Sequence, residues 1–288
     1  MTKGLSLHIG LNSVDPNHYV DANGTPWEGK LIACEPDAID MEKITKSSGC
    51  ETIMLLTKDA TVDNVKKKLN YAAQKLEPGD LFILSYSGHG GRVPDENDDE
   101  GDGYDETWCL YDREFVDDEL NTCLRDFNDD VRILTLSDSC HSGTVVRARA
   151  VQILGIDPNK TNVSKSGKRY RYAPVEVESG TYFKNKELYD SILSDPKYKE
   201  GKPNASVILI SGCQDTQYSQ DGPFNGAFTG QLKKVWDNGK FQGSYRKFHR
   251  QILNRMNMDS DPNDPQTPNY YKEGKVNRAF EMSKPFTI

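Results

Sequence analysis

The stretch Asp80-Leu81-Phe82-Ile83-Leu84-Ser85-Tyr86-Ser87-Gly88-His89-Gly90-Gly91 decides the fold. Its first half is a short aliphatic run, and it breaks into small residues and glycine, the pattern of a strand buried on both faces and ended by a turn. A second stretch has the same grammar: Ile133-Leu134-Thr135-Leu136 runs into Ser137-Asp138-Ser139-Cys140-His141-Ser142-Gly143. Leu5–Leu11, Thr52–Thr57 and Ser206–Ser211 are further runs of this kind. Helical spacing lies between them. Ala38, Met41 and Ile44 recur in Asp37–Ser47; Val65, Leu69 and Ala72 share a face of Thr61–Leu76, which Pro78-Gly79 stops; Leu120 and Leu124 face inward in Asp117–Phe127. Strands alternating with helices predict an α/β fold with a mostly parallel sheet covered on both faces, and ligands of such sheets sit beyond the carboxyl ends of the strands.

Periodicity fails between Thr144 and Gly180, a stretch rich in Arg, Lys, Ser, Pro and Gly, so 144–180 reads as an exposed basic linker loop within a single domain spanning 1–288. Lys186–Leu193, Phe228–Trp236 and Tyr245–Met256 read as helices, and after the Pro/Asp-rich turn of Asp259–Pro268 comes a final extended piece.

Over 288 residues, 36 Lys and Arg against 44 Asp and Glu give a net charge of −8. That sign argues against nucleic acid as a partner, which needs a basic face. The charge is concentrated: Asp95–Glu106 holds eight carboxylates and no Lys or Arg, so the remaining chain sums to about zero. No apolar stretch approaches the ~20 residues of a membrane span, and Met1-Thr2-Lys3-Gly4-Leu5 lacks the apolar core of a signal peptide. The expectation is a cytoplasmic protein with no membrane association. Six cysteines without CxxC spacing fit reduced thiols in that compartment.

Both strand ends carry chemistry. A thiolate attacks carbonyl carbon, and an imidazole can take the thiol proton and return it to a leaving amine. His89 and Cys140 each follow a buried strand and are flanked by small residues, so a substrate backbone can approach and backbone N–H groups can meet a developing oxyanion. A zinc site fits less well, because adjacent Cys140 and His141 do not converge easily on one ion and no second Cys/His pair has ligand spacing.

These residues resemble the caspase superfamily, and within it the metacaspases. The collinear stretches are Cys34-Glu35-Pro36-Asp37-Ala38, Tyr86-Ser87-Gly88-His89-Gly90-Gly91, Asp102-Gly103-Tyr104-Asp105-Glu106, Val116-Asp117-Asp118-Glu119-Leu120, Asp138-Ser139-Cys140-His141-Ser142-Gly143 and Ser211-Gly212-Cys213-Gln214-Asp215. The interval from His89 to Cys140 also agrees with the roughly 50 residues between the caspase pair. The resemblance implies a caspase-like fold, with a central sheet of about six strands, and a cysteine endopeptidase with His89 and Cys140 as its dyad. It implies cleavage after Arg or Lys in peptide or protein substrates, a primary pocket at Cys34, Asp37, Ser87 and Asp138, and oxyanion amides at Gly90 and Cys140. A carboxylate at a pocket floor suits guanidinium or ammonium; Asp138 has the alternative task of holding the loop's own amides. Calcium, with no organic cofactor, is implied at Asp105, Asp117 and Asp118; the pattern's fourth acidic position is Arg147 here, reversed in charge, and the acidic loop is not an EF-hand. A monomer follows by the same analogy. Basic residues of the linker, Arg147, Arg149, Lys160, Lys165, Lys168, Arg169 and Arg171, are candidates for self-cleavage. Two other readings stand beside this one: a clostripain-like peptidase, and a catalytically silent caspase-like scaffold that binds basic peptides.

Overall fold

Strands β1 (Gly4–Gly10) and β3 (Leu81–Ser87) are buried along their whole length, as apolar runs covered on both faces must be. The computed structural model describes residues 2–94, 103–139, 157–164, 167–198, 201–213, 217, 219–259 and 266–288. The other strands are β2 (Glu51–Leu56), β4 (Gly90–Pro94), β5 (Tyr104–Cys109), β6 (Glu114–Val116), β7 (Arg132–Asp138), β8 (Arg169–Tyr170), β9 (Ser206–Ser211), β10 (Gln220–Asp221) and β11 (Asn269–Gly274). The helices are α1 (Cys34–Ser47), α2 (Val62–Lys75), α3 (Asp117–Arg125), α4 (Val175–Lys184), α5 (Lys186–Leu193), α6 (Ala227–Trp236), α7 (Tyr245–Asp259) and α8 (Arg278–Met282).

Six strands form the central sheet in the order β11-β9-β7-β3-β1-β2. All pair in parallel except the edge strand β11, which runs against β9. The predicted α/β sheet is therefore present, and the final extended piece of the sequence supplies its sixth strand. One face packs on α2 and α3 through Val65, Leu69 and Leu124; the other packs on α1, α6 and α7 through Met41, Leu232 and Ile252. Register sets the site. Ser87, last in β3, pairs with Asp138, last in β7, and with Gly10, last in β1, so the carboxyl ends of three central strands are level. Gly10 has no side chain for a reason: a Cβ there would lie 2.4 Å from the Cys34 carbonyl oxygen, where α1 begins.

Two small sheets were not anticipated: the antiparallel trio β4-β5-β6 and the pair β8-β10. The expected exposed linker also needs correction. Within its described part, Lys160 is exposed, but Tyr170, Arg171 and Tyr172 are buried, and α4 begins inside the stretch with Val177 and Gly180 turned inward. Composition misled because Arg171 is neutralised by carboxylates from elsewhere in the chain, and because Gly180 serves a close approach, its Cα facing the Asp21 carbonyl at a distance no Cβ would permit. Among the described residues no helix is long and apolar enough to cross a membrane.

A buried polar trio locks α1 to the sheet. The His8 ring lies 2.7 Å from the Ser85 hydroxyl and 2.8 Å from that of Thr45 on α1. Burial lowers the His8 pKa to about 3. The unfolded chain takes up this proton near pH 6.5, so the stability contributed by neutral His8 is complete above that pH and is lost as pH falls toward 3. Urea midpoints measured from pH 7 to 4 are expected to fall in the wild type, and to fall less in His8→Gln.

Candidate active site

His89 sits two residues past β3 on a glycine turn, between β3 and β4. Its side chain is 2% exposed, with the Trp27 ring at 4.9 Å between centroids. Nε2 lies 2.9 Å from the Gly29 carbonyl oxygen, which can only accept, so Nε2 carries the proton and Nδ1 presents the lone pair. Nδ1 is buried and has no hydrogen-bond partner among the described residues. Burial lowers the His89 pKa to about 4, against the opposing pull of the Gly29 carbonyl and Asp221, so at neutral pH the ring is an unprotonated base. The backbone is fixed as firmly: the His89 carbonyl accepts from the Tyr86 hydroxyl at 2.6 Å and from Cys109 N–H at 2.9 Å. Tyr86 stacks on Trp108 at 4.4 Å, and Gly88 leaves room for the phenol, because a Cβ there would be 2.5 Å from its oxygen.

Cys140 itself lies outside the described residues, as does Arg147. Ser139, the residue before Cys140 in sequence, is held on two sides. The Ser139 hydroxyl pairs with that of Ser137 at 2.9 Å, and the Ser139 carbonyl accepts from the Cys213 thiol at 3.3 Å. Cys213 thus anchors the chain just past the end of β7.

Cys34, Asp37, Ser87 and Asp138 come together around a guanidinium, and the guanidinium belongs to Arg171. Arg171 is fully buried; its Nη2 lies 2.9 Å from Asp37 and 3.0 Å from Asp221, and its Nη1 lies 3.1 Å from Asp138 and 2.8 Å from the Ser87 hydroxyl. The carboxylates are themselves held. Asp37 accepts from Gly226 N–H and from the Asn225 amide; Asp138 accepts from Thr229 N–H and from the Thr229 and Ser219 hydroxyls; Asp221 accepts from Ile32 and Ala33 N–H. Both roles weighed for Asp138 are filled at once. Burial raises the Asp37 carboxyl, opposed by Arg171 and reinforced by Asp138, and burial pushes the Cys34 thiol far up, so Cys34 is a neutral wall. Only about 10 Å3 of cavity remains behind the carboxylates, about one water's worth.

A family model for the caspase domain matches residues 15–278. The chain belongs to the caspase-domain family. Among relatives of this caspase domain, the chain is 29% identical over 233 residues to metacaspase-1A of Aspergillus fumigatus, covering 71% of this chain and 56% of that protein. It is 30% identical over 201 residues to metacaspase-1 of Arabidopsis thaliana, covering 66% and 46%. The chain thus spans about half the length of these relatives. A crystal structure of the protein GSU0716 from Geobacter sulfurreducens is 49% identical, with a TM-score of 0.85 over 99% of this chain and 98% of that one.

The caspase-domain motifs did not announce everything the site uses. Asp221, Ser219, Gly226 and Thr229 were missed, since they sit in a polar loop and at the start of a helix whose spacing carries no chemical pattern. Gly226 is required sterically: a Cβ would stand 2.5 Å from both Arg171 Nη1 and Asp138 Oδ2. Gly90, the expected oxyanion donor, points its N–H at the Arg171 carbonyl, 3.1 Å away. Asp117 and Asp118 open α3, and Asp105 lies on β5. The surrounding protein and then the charges of Asp105, Asp118 and Glu106 push the Asp117 carboxyl well above its ordinary range; because Asp117 keeps solvent exposure, the crowding of carboxylates weighs more than burial. Among the described residues no three His, Cys, Asp or Glu side chains converge as a metal site, and Asp98, Asp99 and Asp102 lie outside those residues.

Gly29 is a direct test of how the imidazole is held. It has φ +52, and a Cβ there would lie 2.8 Å from Trp27 and 3.0 Å from the His89 ring. Gly29→Ala is expected to lower kcat of peptide hydrolysis by about tenfold or more while KM changes little, since about 1 Å of displacement disrupts proton transfer.

Proposed function

We propose that the protein is a cysteine endopeptidase that cleaves peptide bonds after Arg or Lys. The observation that carries this reading is the cluster of three buried carboxylates, Asp37, Asp138 and Asp221, gripping a guanidinium beside a neutral, buried imidazole. Such a pocket suits a basic P1 side chain and repels an acidic one. In the reaction, the Cys140 thiol gives its proton to His89 Nδ1 and the sulfur adds to the scissile carbonyl carbon. Gly90 N–H stabilises the oxyanion, and His89 then protonates the leaving amine. Water hydrolyses the thioester in the second half. Gly29 holds the tautomer throughout, and the Tyr86 hydroxyl fixes the turn.

Family membership favours an enzyme over the silent scaffold, and His89 Nδ1, without a partner among the described residues, supports the same choice. Peptides with Arg or Lys at P1 are expected to be hydrolysed and an Asp peptide left intact. His89→Ala is expected to lower the rate by about 10²–10⁴-fold, and Cys140→Ala to abolish it. Faster cleavage of the Asp peptide would overturn the pocket assignment.

Calcium belongs to the same proposal. Asp105, Asp117 and Asp118 do not converge by themselves; an ion that drew them together would relieve the repulsion that raises Asp117, and no catalytic step runs through it. Calcium is expected to raise the thermal midpoint of the wild type and not of Asp117→Asn; equal behaviour of the two proteins removes these ligands from the reading.

A further inference from the structure

Side chains of β7 alternate between the two faces of the sheet: Leu136 and Asp138 turn toward the primary pocket, and Thr135 and Ser137 turn to the face that carries α2 and α3. On that second face the register sets Thr135 beside Leu209 and Leu209 beside Tyr271, with Val207 and Glu273 in the neighbouring row. A cavity of about 400 Å3 lies over these rows, walled by Phe115 and by Leu120 and Asn121 of α3, with Asp117 of the same helix on its lining. Its volume is that of a small-molecule site. Ser139 and Cys213 also border it, so an occupant lies against the contact that anchors the chain past β7.

The cavity holds polar atoms whose hydrogen-bonding capacity is unmet among the described residues. Thr135 is 3% exposed, and its hydroxyl has no hydrogen-bond partner there. Asn121 donates from Nδ2 to the Gly201 carbonyl at 3.1 Å, and its buried Oδ1 accepts from none of those residues. Asp117 and Glu273 have no cationic partner among the same residues, although Asp117 accepts from Asp118 N–H at 3.0 Å. Amide and carboxylate oxygens only accept, whereas a hydroxyl does both. The missing chemistry is therefore a donor-rich positive group on an apolar body, and Phe115, Leu120, Val207 and Leu209 are there to cover the body. We propose that the cavity binds a small amphipathic cation, an ammonium on a single ring or short aliphatic body, at a site distinct from the primary pocket. Its head lies at the carboxylates of Asp117 and Glu273, and a hydroxyl at its other end meets Thr135. Thr135 and Glu273 stand two strands apart, about 10 Å by the spacing of neighbouring strands, a span that a ring with a short arm bridges. An acid of the same shape would bring a like charge to those carboxylates and leave Asn121 Oδ1 without a donor.

The experiment is calorimetric titration of the full-length chain with tyramine, in calcium-free buffer because Asp117 is also offered to calcium. Tyrosol and 4-hydroxyphenylacetate are titrated beside it; they keep the phenol and replace the ammonium by a hydroxyl or a carboxylate. Tyramine is expected to bind at least about tenfold more tightly than tyrosol, and the acid not to bind, since hydrogen bonds to a charged group are the stronger ones. Leu209→Trp, which fills the cavity from its floor, is expected to abolish the tyramine signal. Glu273→Gln changes an exposed side chain on the edge strand and so keeps folding in view; it is expected to weaken tyramine about two- to fivefold and to leave tyrosol unchanged. Equal affinity for tyramine and tyrosol overturns the proposal, as does undiminished binding to folded Leu209→Trp or the absence of any signal from all three compounds. The peptidase reading stands in each of those cases.

Discussion

One buried guanidinium facing three buried carboxylates organises this molecule. Arg171, Asp37, Asp138 and Asp221 come from four parts of the chain and have almost no solvent exposure. Withdrawing such charges from water costs several kcal/mol each, and deleting one partner of a buried pair costs about 3–5 kcal/mol. The arrangement is tolerable because every carboxylate has other donors: backbone N–H groups at Gly226, Thr229, Ile32 and Ala33, and hydroxyls at Ser87, Ser219 and Thr229. Those bonds tie the start of α1, the ends of β3 and β7, and the start of α6 to one point. A site built this way is specified by satisfied polarity more than by apolar packing, in contrast with the sheet behind it.

The sheet contributes level and direction. Parallel pairing of β1, β3 and β7 brings Gly10, Ser87 and Asp138 into line, and the residues two places beyond Ser87 and Asp138 in sequence are His89 and Cys140. The same geometry that makes those strands apolar leaves their carboxyl ends as the place where polar groups gather. His89 completes the division of labour: carbonyl oxygen on one nitrogen, a lone pair with no partner among the described residues on the other, and a dry setting that keeps the ring neutral.

Much of this was legible in the chain. The central strands and the helices between them follow from aliphatic runs and helical spacing, signals that burial on both faces makes strong, whereas the half-exposed edge strand at the end was legible only as an extended piece. Cys34, Asp37, Ser87 and Asp138 were also readable, through motifs whose residues do meet. What sequence concealed was partnership at long range. Arg171 sits in a stretch whose Lys, Arg and Ser content looks like solvated loop, yet Arg169-Tyr170-Arg171-Tyr172 alternates polar and aromatic side chains as a strand does. Composition says nothing about carboxylates 134 and 33 residues earlier. Asp221 left no signal, and strands as short as β8 and β10 have too few residues for a period to emerge.

The separation between Asp37 and Arg171 also has a temporal meaning. A ribosome adds about 5–20 residues per second, so Asp37 is made roughly ten seconds before its counter-ion exists, Asp138 only a few seconds before it, and Asp221 after it. β1 is made before that interval, β3 within it and β7 near its end. Closure of the pocket is therefore a late event of biosynthesis, and a nascent chain truncated before residue 171 carries Asp37 and Asp138 without the guanidinium that neutralises them.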